Sequence, residues 1–206
     1  VRDSPDEEDP TKELIKKIPT GKDLRMENLS FKYDPLSETP TLDNISLELA
    51  SGKQTAIVGM SGSGKTTLVK LLLGFYPPAS GQILLGGTPL ENFSIREWRK
   101  QCGVVMQDGF IFSDSIAGNI APGVEHIDKE RLRHAAEMAN IHGFIEELPL
   151  GYSTRIGQEG HGLSQGQKQR ILIARAVYKN PGFIFFDEAT NASGGDDTSG
   201  AWNRTE

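Results

Sequence analysis

The sequence predicts an α/β fold: a mainly parallel core sheet flanked by helices, an antiparallel β part near the N-terminus and a helical subdomain. The apolar run Thr55–Val58 leads through a glycine-rich turn into a helical pattern at Lys65–Phe75. A second apolar run, Phe183–Phe186, follows a helical pattern from Ser164 to about Lys179. Strands that alternate with helices are typical of parallel sheets, whereas the period-two pattern of Leu24–Tyr33 is typical of a half-buried antiparallel strand.

The remaining elements follow from local patterns in chain order. Alternating apolar residues and turn residues predict strands, and Pro or Gly marks the ends of helices. The predicted elements are a short helix at Lys12–Lys17 closed by Pro19, strands at Ile45–Leu49, Gln82–Leu85 and Gly103–Met106, and a mainly helical stretch at Asp114–Leu148 with helix starts near Ser113 and Asp128.

Composition limits the class of protein. With 206 residues, 36% of them hydrophobic and 24% charged, the chain is long enough to bury one substantial core. A net charge of −6 argues against a nucleic-acid partner, because such proteins usually carry a basic face. Cys102 is the only cysteine, which excludes a disulfide within the chain. No stretch approaches the roughly 18–20 apolar residues that a membrane helix requires.

The glycine-rich turn has the spacing of a phosphate-binding loop, Gly59-x-x-x-x-Gly64-Lys65-Thr66. Glycines allow the backbone to curl so that its N–H groups face phosphate oxygens, and the following helix adds positive potential. Lys65 is expected to reach the β- and γ-phosphates, and the Thr66 hydroxyl to ligate Mg²⁺. The alternative is a plain glycine-rich turn with a solvated lysine. The position of the motif between a predicted strand and a predicted helix argues against that alternative. The residues predicted to contact nucleotide here are Gly59, Ser61, Gly62, Ser63, Gly64, Lys65, Thr66 and Thr67.

Two carboxylates follow the apolar run Phe183–Phe186. Asp187 is expected to hold Mg²⁺ and Glu188 to act as the general base that polarises the attacking water. A solvated loop with two acids after a core strand is the alternative. Together with the phosphate loop, the pair predicts hydrolysis of a nucleoside triphosphate.

A third segment, Leu163–Gln167, opens the helix that precedes this strand. Taken alone, Ser164 would be an ordinary helix N-cap. Taken with the other two segments, it resembles the signature of the nucleotide-binding domain of ABC transporters, which usually reads Leu-Ser-Gly-Gly-Gln. Gln165 takes the place of the first glycine. The resemblance runs from about Asp23 to Ala192, and three motifs in the family's order make it specific.

The resemblance implies roles for further residues, with ATP and Mg²⁺ as the bound molecules. Tyr33 matches the aromatic residue that stacks on adenine. Gln107 matches the glutamine that contacts Mg²⁺ and the attacking water, and is therefore expected to be both catalytic and a metal ligand. Gln158 stands where exporters carry an acidic coupling residue. Two such domains pair head to tail, so the signature residues Ser164, Gly166 and Gln167 would contact ATP held by a second nucleotide-binding domain.

The segment from Gln107 to Ile120 resembles exporter domains fused to membrane helices, and the middle of the chain resembles bacterial peptide or bacteriocin exporters. The implied function is ATP hydrolysis coupled to export of a substrate such as a peptide, at the cytoplasmic face of the cell membrane, with transmembrane domains as partners. The predicted organisation is a linker from a preceding membrane region at 1–20, the ATP-binding domain at 21–192 and a polar tail at 193–206.

The chain departs from the family pattern after Ala192. A strand and a histidine that contacts the γ-phosphate have no counterpart before Glu206, so an incomplete domain with little ATP turnover is expected. Two other functions stay open at this point. A soluble ABC-type ATPase that acts as a clamp in DNA repair or translation would show coiled-coil arms or tandem cassettes, and a small-molecule kinase would leave the signature helix unexplained.

Overall fold

The computed structural model describes residues 8, 12–106, 109–158, 160 and 162–187. Two compact units divide the chain. The first unit contains residues 1–104 and 179–187, and the second contains residues 105–178 and 188–206.

The elements of the first unit are β1 (Leu24–Phe31), β2 (Leu42–Leu49), α1 (Lys65–Leu72), β3 (Ser80–Leu85), β4 (Thr88–Pro89), α2 (Ile95–Lys100), β5 (Cys102–Val105, whose last residue falls in the second unit) and β8 (Phe183–Phe186). Strands β1 to β4 form an antiparallel sheet in the order β2-β1-β3-β4. Strands β5 and β8 form a separate two-stranded sheet.

Strand β1 has the irregularity that its sequence predicts. Met26 pairs with Leu47 and Leu29 pairs with Ile45, so the register shifts between them. Asn28 lies at this shift with a φ of 49°, in the left-handed region that asparagine tolerates better than most residues. The shift lets Leu24, Met26 and Leu29 all face the core, where each is at most 1% exposed.

Helix α1 packs its apolar face into the core of the first unit. Leu71 and Leu72 are each 1% exposed, and Trp98 of α2 is fully buried and donates from Nε1 to the carbonyl of Leu72 at 2.8 Å. Cys102 is a buried core residue, as predicted, and burial raises the pKa of its thiol to about 12. An inert packing role follows for this cysteine.

The second unit is mainly helical, as the sequence predicts. Its helices pack around a core that includes Ile116, Ile120, Ile145 and Ile171. Its elements are β6 (Asp114–Ser115), α3 (Ile116–Ile120), α4 (Lys129–Met138), α5 (His142–Glu147), β7 (Arg155–Ile156) and α6 (Gln165–Tyr178). The predicted start at Asp128 is confirmed, since its carboxylate accepts from the backbone N–H groups of Glu130 and Arg131.

Two local predictions are wrong. The segment Lys12–Lys17 is not helical: Ile15 instead forms a parallel bridge to Phe93, with its N–H bonded to the Asn92 carbonyl at 2.8 Å. Long-range backbone pairing outcompetes a short helix, since fewer than about 12 residues make a marginal helix.

The apolar segment Thr55–Val58 is not a buried strand. It has no regular structure, and Val58 is 91% exposed. An apolar run becomes a strand only where a neighbouring strand takes up its backbone N–H and C=O groups, and among the described residues none pairs with it. The largest sheet of the described residues is the antiparallel one. Of the strands predicted for the parallel core sheet, β5 and β8 pair with each other, and Thr55–Val58 pairs with no described strand. No described helix combines the length and apolar character needed to cross a membrane.

Candidate functional site

The phosphate loop turns into α1 through two glycines in the left-handed region, Gly62 with a φ of 80° and Gly64 with a φ of 89°. Gly64 is the N-cap of α1. A Cβ at Gly64 would lie 2.7 Å from Leu42 Cδ2 and 3.0 Å from the Thr41 carbonyl oxygen. Both the backbone angle and the close approach of β2 therefore require glycine at position 64.

The first turn of α1 is suited to an anion. It contains no acidic residue, and its free backbone N–H groups carry the positive end of the helix dipole. Lys65, the first residue of α1, adds a full positive charge at this end.

Lys65 lies folded back on the loop. Its Nζ donates to the carbonyl oxygens of Gly59 at 2.8 Å and Met60 at 2.9 Å, and lies 3.4 Å from Ser63 Oγ. These contacts place the ammonium within the curl of the loop, where the sequence predicts phosphate oxygens. The loop carbonyls thus orient the lysine toward the interior of the loop.

Thr66 and Asp187 meet although 121 positions separate them in the sequence. The Thr66 hydroxyl donates to Asp187 Oδ1 at 2.9 Å. Asp187 follows β8 and is only 5% exposed. A hydroxyl and a carboxylate oxygen side by side are the hard ligands that Mg²⁺ prefers. The donor set therefore fits this ion, although the described residues contain no cluster of three or more His, Cys, Asp or Glu side chains.

Tyr33 lies just beyond β1, and 51% of its surface is exposed. Its hydroxyl lies 3.2 Å from the hydroxyl of Thr67, the residue that follows Thr66 on α1. Tyr33, which is predicted to contact the base, is thus in direct contact with α1, the helix predicted to contact the phosphates. Sequence reasoning placed Thr67 only as a loop residue and missed both this link and Tyr76, whose ring contacts Tyr33.

The signature segment lies in the second unit and forms a capping box at the start of α6. Ser164 Oγ accepts from the Gln167 N–H at 3.2 Å, and Gln167 Oε1 accepts from the Ser164 N–H at 2.8 Å. This reciprocal pair is a helix start signal that sequence alone offers as Ser-x-x-Gln. A Cβ at Gly166 would meet no atom within 4 Å, so open space surrounds it.

The structure leaves the predicted roles of three further residues as predictions. Gln107 and Glu188 lie outside the described residues. Gln158 is exposed just after β7.

Comparison with known proteins decides the family. The family model described as ABC transporter matches residues 42–191, which contain the phosphate loop, the signature segment and Asp187. The chain belongs to the ABC transporter family. The resemblance noted from the motifs is thereby confirmed.

Individual ABC relatives are similar over most of this chain. It is 45% identical over 174 residues to an ATP-dependent lipid A-core flippase of Saccharophagus degradans, covering 84% of this chain and 29% of the relative. It is 45% identical over 169 residues to a colicin V secretion/processing ATP-binding protein of Escherichia coli, covering 82% and 24%. It is 47% identical over 171 residues to a leukotoxin translocation ATP-binding protein of Mannheimia glucosida, covering 82% and 24%.

A solved bacterial Atm1-family ABC exporter with ATP bound superposes with a TM-score of 0.79 at 39% identity, covering 89% of this chain and 31% of that chain. The fold class predicted from the sequence, an α/β phosphate-loop ATPase, is confirmed. The chain spans between 24% and 31% of the length of these relatives. These relatives are named as transport proteins. They therefore do not favour the alternative function, a clamp in DNA repair or translation.

Proposed function

We propose that this chain is the ATP-binding and ATP-hydrolysing domain of an ABC exporter. The observation that carries the proposal is the contact between Thr66 of the phosphate loop and the buried Asp187. The contact supports the proposal because magnesium–nucleotide hydrolysis requires a helix start that would bind the triphosphate beside a carboxylate that would hold the metal. The ATP bound to the Atm1-family exporter supports ATP as the nucleotide.

The predicted site residues would divide the binding of the nucleotide and the metal among them. The loop N–H groups and Lys65 would contact the β- and γ-phosphates, and Tyr33 would stack on the adenine. Thr66 and Asp187 would hold Mg²⁺, with Gln107 as a further ligand. The ion would neutralise charge on the β- and γ-phosphate oxygens.

Hydrolysis would be carried by Glu188, which directly follows Asp187. A carboxylate at this position would accept a proton from water as the water oxygen bonds to the γ-phosphorus. The bond from the γ-phosphorus to the β–γ bridging oxygen would break, so that ADP leaves and inorganic phosphate forms. Gln107 would orient the same water. Removing a general base of this kind typically lowers the rate by about 10²–10⁴-fold.

The signature segment would serve a second copy of the domain. Ser164, Gly166 and Gln167 lie at the start of α6, where the helix dipole gives positive potential, and Lys65 would serve the phosphates within its own domain. In a head-to-tail dimer each ATP would lie between one phosphate loop and the other signature segment. ATP would then act as part of the dimer interface.

The partners and place in the cell are inferred from the relatives. Transmembrane domains would transmit the dimerisation to an export pathway, with this chain at the cytoplasmic face of the membrane. Similarity to proteins named for colicin V secretion and leukotoxin translocation supports a peptide or protein cargo. Stimulation of ATP hydrolysis by a candidate peptide, measured in the membrane-embedded protein, tests this cargo.

The Glu188→Gln variant tests hydrolysis and dimerisation together. In a domain completed with the strand and histidine that the family pattern places after Ala192, we expect it to bind ATP like its parent, to release phosphate at least about 10²-fold more slowly, and to elute as a dimer from gel filtration in ATP and Mg²⁺. The measurements are phosphate release and elution volume. Lys65→Ala is the matched control, and it should lose binding and dimer alike.

A Ser164→Asp variant separates the capping role of this residue from its role toward ATP. Aspartate keeps the acceptor for the Gln167 N–H and so preserves the start of α6, but it places a negative charge where the partner's γ-phosphate would lie. Combined with Glu188→Gln, it should abolish the dimer. For the Ser164→Asp variant, an unchanged dimer peak would refute the head-to-tail arrangement. For the Lys65→Ala control, phosphate release equal to that of the parent chain would refute hydrolysis at this site.

A further inference from the structure

Three aromatic rings of the first unit contact one another beside the phosphate loop. The ring centroid of Tyr33 lies 5.0 Å from that of Phe31 and 5.4 Å from that of Tyr76, and the Phe31 and Tyr76 centroids lie 5.5 Å apart. Phe31 is 5% exposed and belongs to the core, whereas Tyr33 is 51% and Tyr76 39% exposed. The cluster thus connects the core to an exposed tyrosine.

Neither Phe31 nor Tyr76 is stacked on the Tyr33 ring. Phe31 and Tyr76 meet it at interplanar angles of 84° and 85°, so neither lies parallel to the ring as a stacked group would. Edge-to-face packing is a favoured arrangement that fixes the direction of a ring. Two near-perpendicular neighbours therefore fix the plane of the Tyr33 ring while half of its surface stays exposed.

The far end of Tyr33 is fixed as well. Its hydroxyl lies 3.2 Å from the hydroxyl of Thr67, which is only 6% exposed. Thr67 directly follows Thr66, the proposed metal ligand, on α1. The orientation of the exposed ring is thus linked to the helix that would hold the phosphates.

Tyr76 is itself held by a defined turn after α1. Gly74 has a φ of 67°, a backbone angle that favours glycine, and a Cβ there would press against the Ile95 side chain. Arg99 donates to the carbonyls of Leu73 at 2.9 Å and Gly74 at 3.0 Å, and its guanidinium lies 4.5 Å from the ring centre of Phe75. These contacts fix the chain two residues before Tyr76, which makes its ring a stable support.

We propose that Tyr76 is a positioning residue that orients Tyr33 for stacking on a purine base, with Thr67 fixing the tyrosine hydroxyl. The inference rests on the proposed ATP-binding function. Tyr76 would touch Tyr33 rather than the nucleotide, and it would set the preference for purine over pyrimidine triphosphates. A purine offers a larger π-face to a correctly oriented ring, so this preference depends on orientation.

Affinities for ATP, CTP and inorganic tripolyphosphate, each measured with Mg²⁺ by calorimetry on the full chain, test the proposal. Tyr76→Ala should weaken ATP binding by about fivefold, as a partial loss of base stacking, and reduce the ratio of ATP to CTP affinity. Its affinity for tripolyphosphate should not change, because that ligand has no base. Tyr76→Phe keeps the ring and should restore the ATP-to-CTP ratio of the parent chain.

Each contrary outcome has a defined meaning. An equal loss of ATP and tripolyphosphate affinity in Tyr76→Ala would mean that Tyr76 only maintains the loop, and an unchanged ATP-to-CTP ratio would mean that it has no role toward the base; both overturn the inference. If Tyr76→Ala unfolds at a lower temperature than the assay allows, Tyr76→Leu, which keeps apolar bulk, takes its place with the same expectation. A parent chain that binds neither ATP nor tripolyphosphate would refute the proposed function itself.

Discussion

Gly64 and Gly62 show how single residues shape the phosphate loop. Both lie in the left-handed region, with φ values of 89° and 80°. Only Gly64 also lies against β2, where an added Cβ would come within 2.7 Å of Leu42 Cδ2; nothing lies within 4 Å of a Cβ at Gly62. The two positions thus separate backbone strain from steric overlap.

We expect Gly64→Ala to destabilise the chain more than Gly62→Ala. Each substitution costs about 1–2 kcal/mol for a left-handed residue, and Gly64→Ala adds the overlap with Leu42 and Thr41. Urea unfolding of the two variants measures the difference. Equal losses would mean that α1 and β2 can move apart, contrary to the packing described here.

Residue-level prediction from the sequence succeeded where a motif has fixed spacing. The pattern Gly59–Thr66 and the two acids after an apolar run indicated which side chains to compare, and the structure brings Thr66 and Asp187 to 2.9 Å. The contacts of Tyr33 with Thr67 and Tyr76 could not be predicted in this way. They join positions 34 and 43 apart through turns whose course depends on Gly74 and Arg99, and no local pattern encodes that distance.

At the scale of elements, the segment before β1 is fastened to α2. The carboxylate of Glu8 accepts from the Ser94 hydroxyl at 2.8 Å and from the Arg96 N–H at 3.0 Å. Ser94 in turn caps α2 by accepting from the Glu97 N–H. The hydrogen bond from the Arg96 backbone, followed by that from Ser94, lowers the pKa of Glu8. The ionised carboxylate therefore stabilises the folded state.

This contact predicts a pH dependence. Because the pKa of Glu8 is lower in the folded chain, its stabilising effect is full above the pKa of the unfolded chain and disappears as the pH falls through the folded pKa. Glu8→Gln should therefore lower the urea midpoint at pH 7, and the difference from the parent chain should shrink toward pH 3. Glu13→Gln, at an exposed position of the same segment, is the control. A difference that stays constant with pH would contradict the role of the charge.

Elements were predictable where the local signal agreed with the packing. Helices α1, α4 and α6 and strands β1, β2, β3, β5 and β8 lie close to their predicted positions, because the apolar pattern of each segment agrees with its packing. Lys12–Lys17 and Thr55–Val58 were wrong because their state depends on distant partners. Ile15 forms a backbone bridge to Phe93, and no described strand pairs with Val58.

At the scale of the whole molecule, three motifs distributed over two units form the basis of the functional account. The phosphate loop and Asp187 belong to the first unit, and the signature segment belongs to the second. The order of the motifs was sufficient to predict the family that the comparisons then confirmed. Cargo and membrane partners cannot be derived in the same way, because the chain spans only 24–29% of its curated relatives and the residues that choose a cargo need not lie within it.

The central claim is that Thr66 and Asp187 hold a magnesium ion against a triphosphate in the phosphate loop. Calorimetric titration of the chain with ATP tests it most directly, with Mg²⁺ or with EDTA, for the parent chain and Asp187→Asn. We expect saturable heat with Mg²⁺, and binding at least about tenfold weaker either with EDTA or in Asp187→Asn, because a neutral amide is a much poorer ligand for this ion. Absence of saturable heat from the folded parent chain, or binding unaffected by both EDTA and Asp187→Asn, would contradict the account.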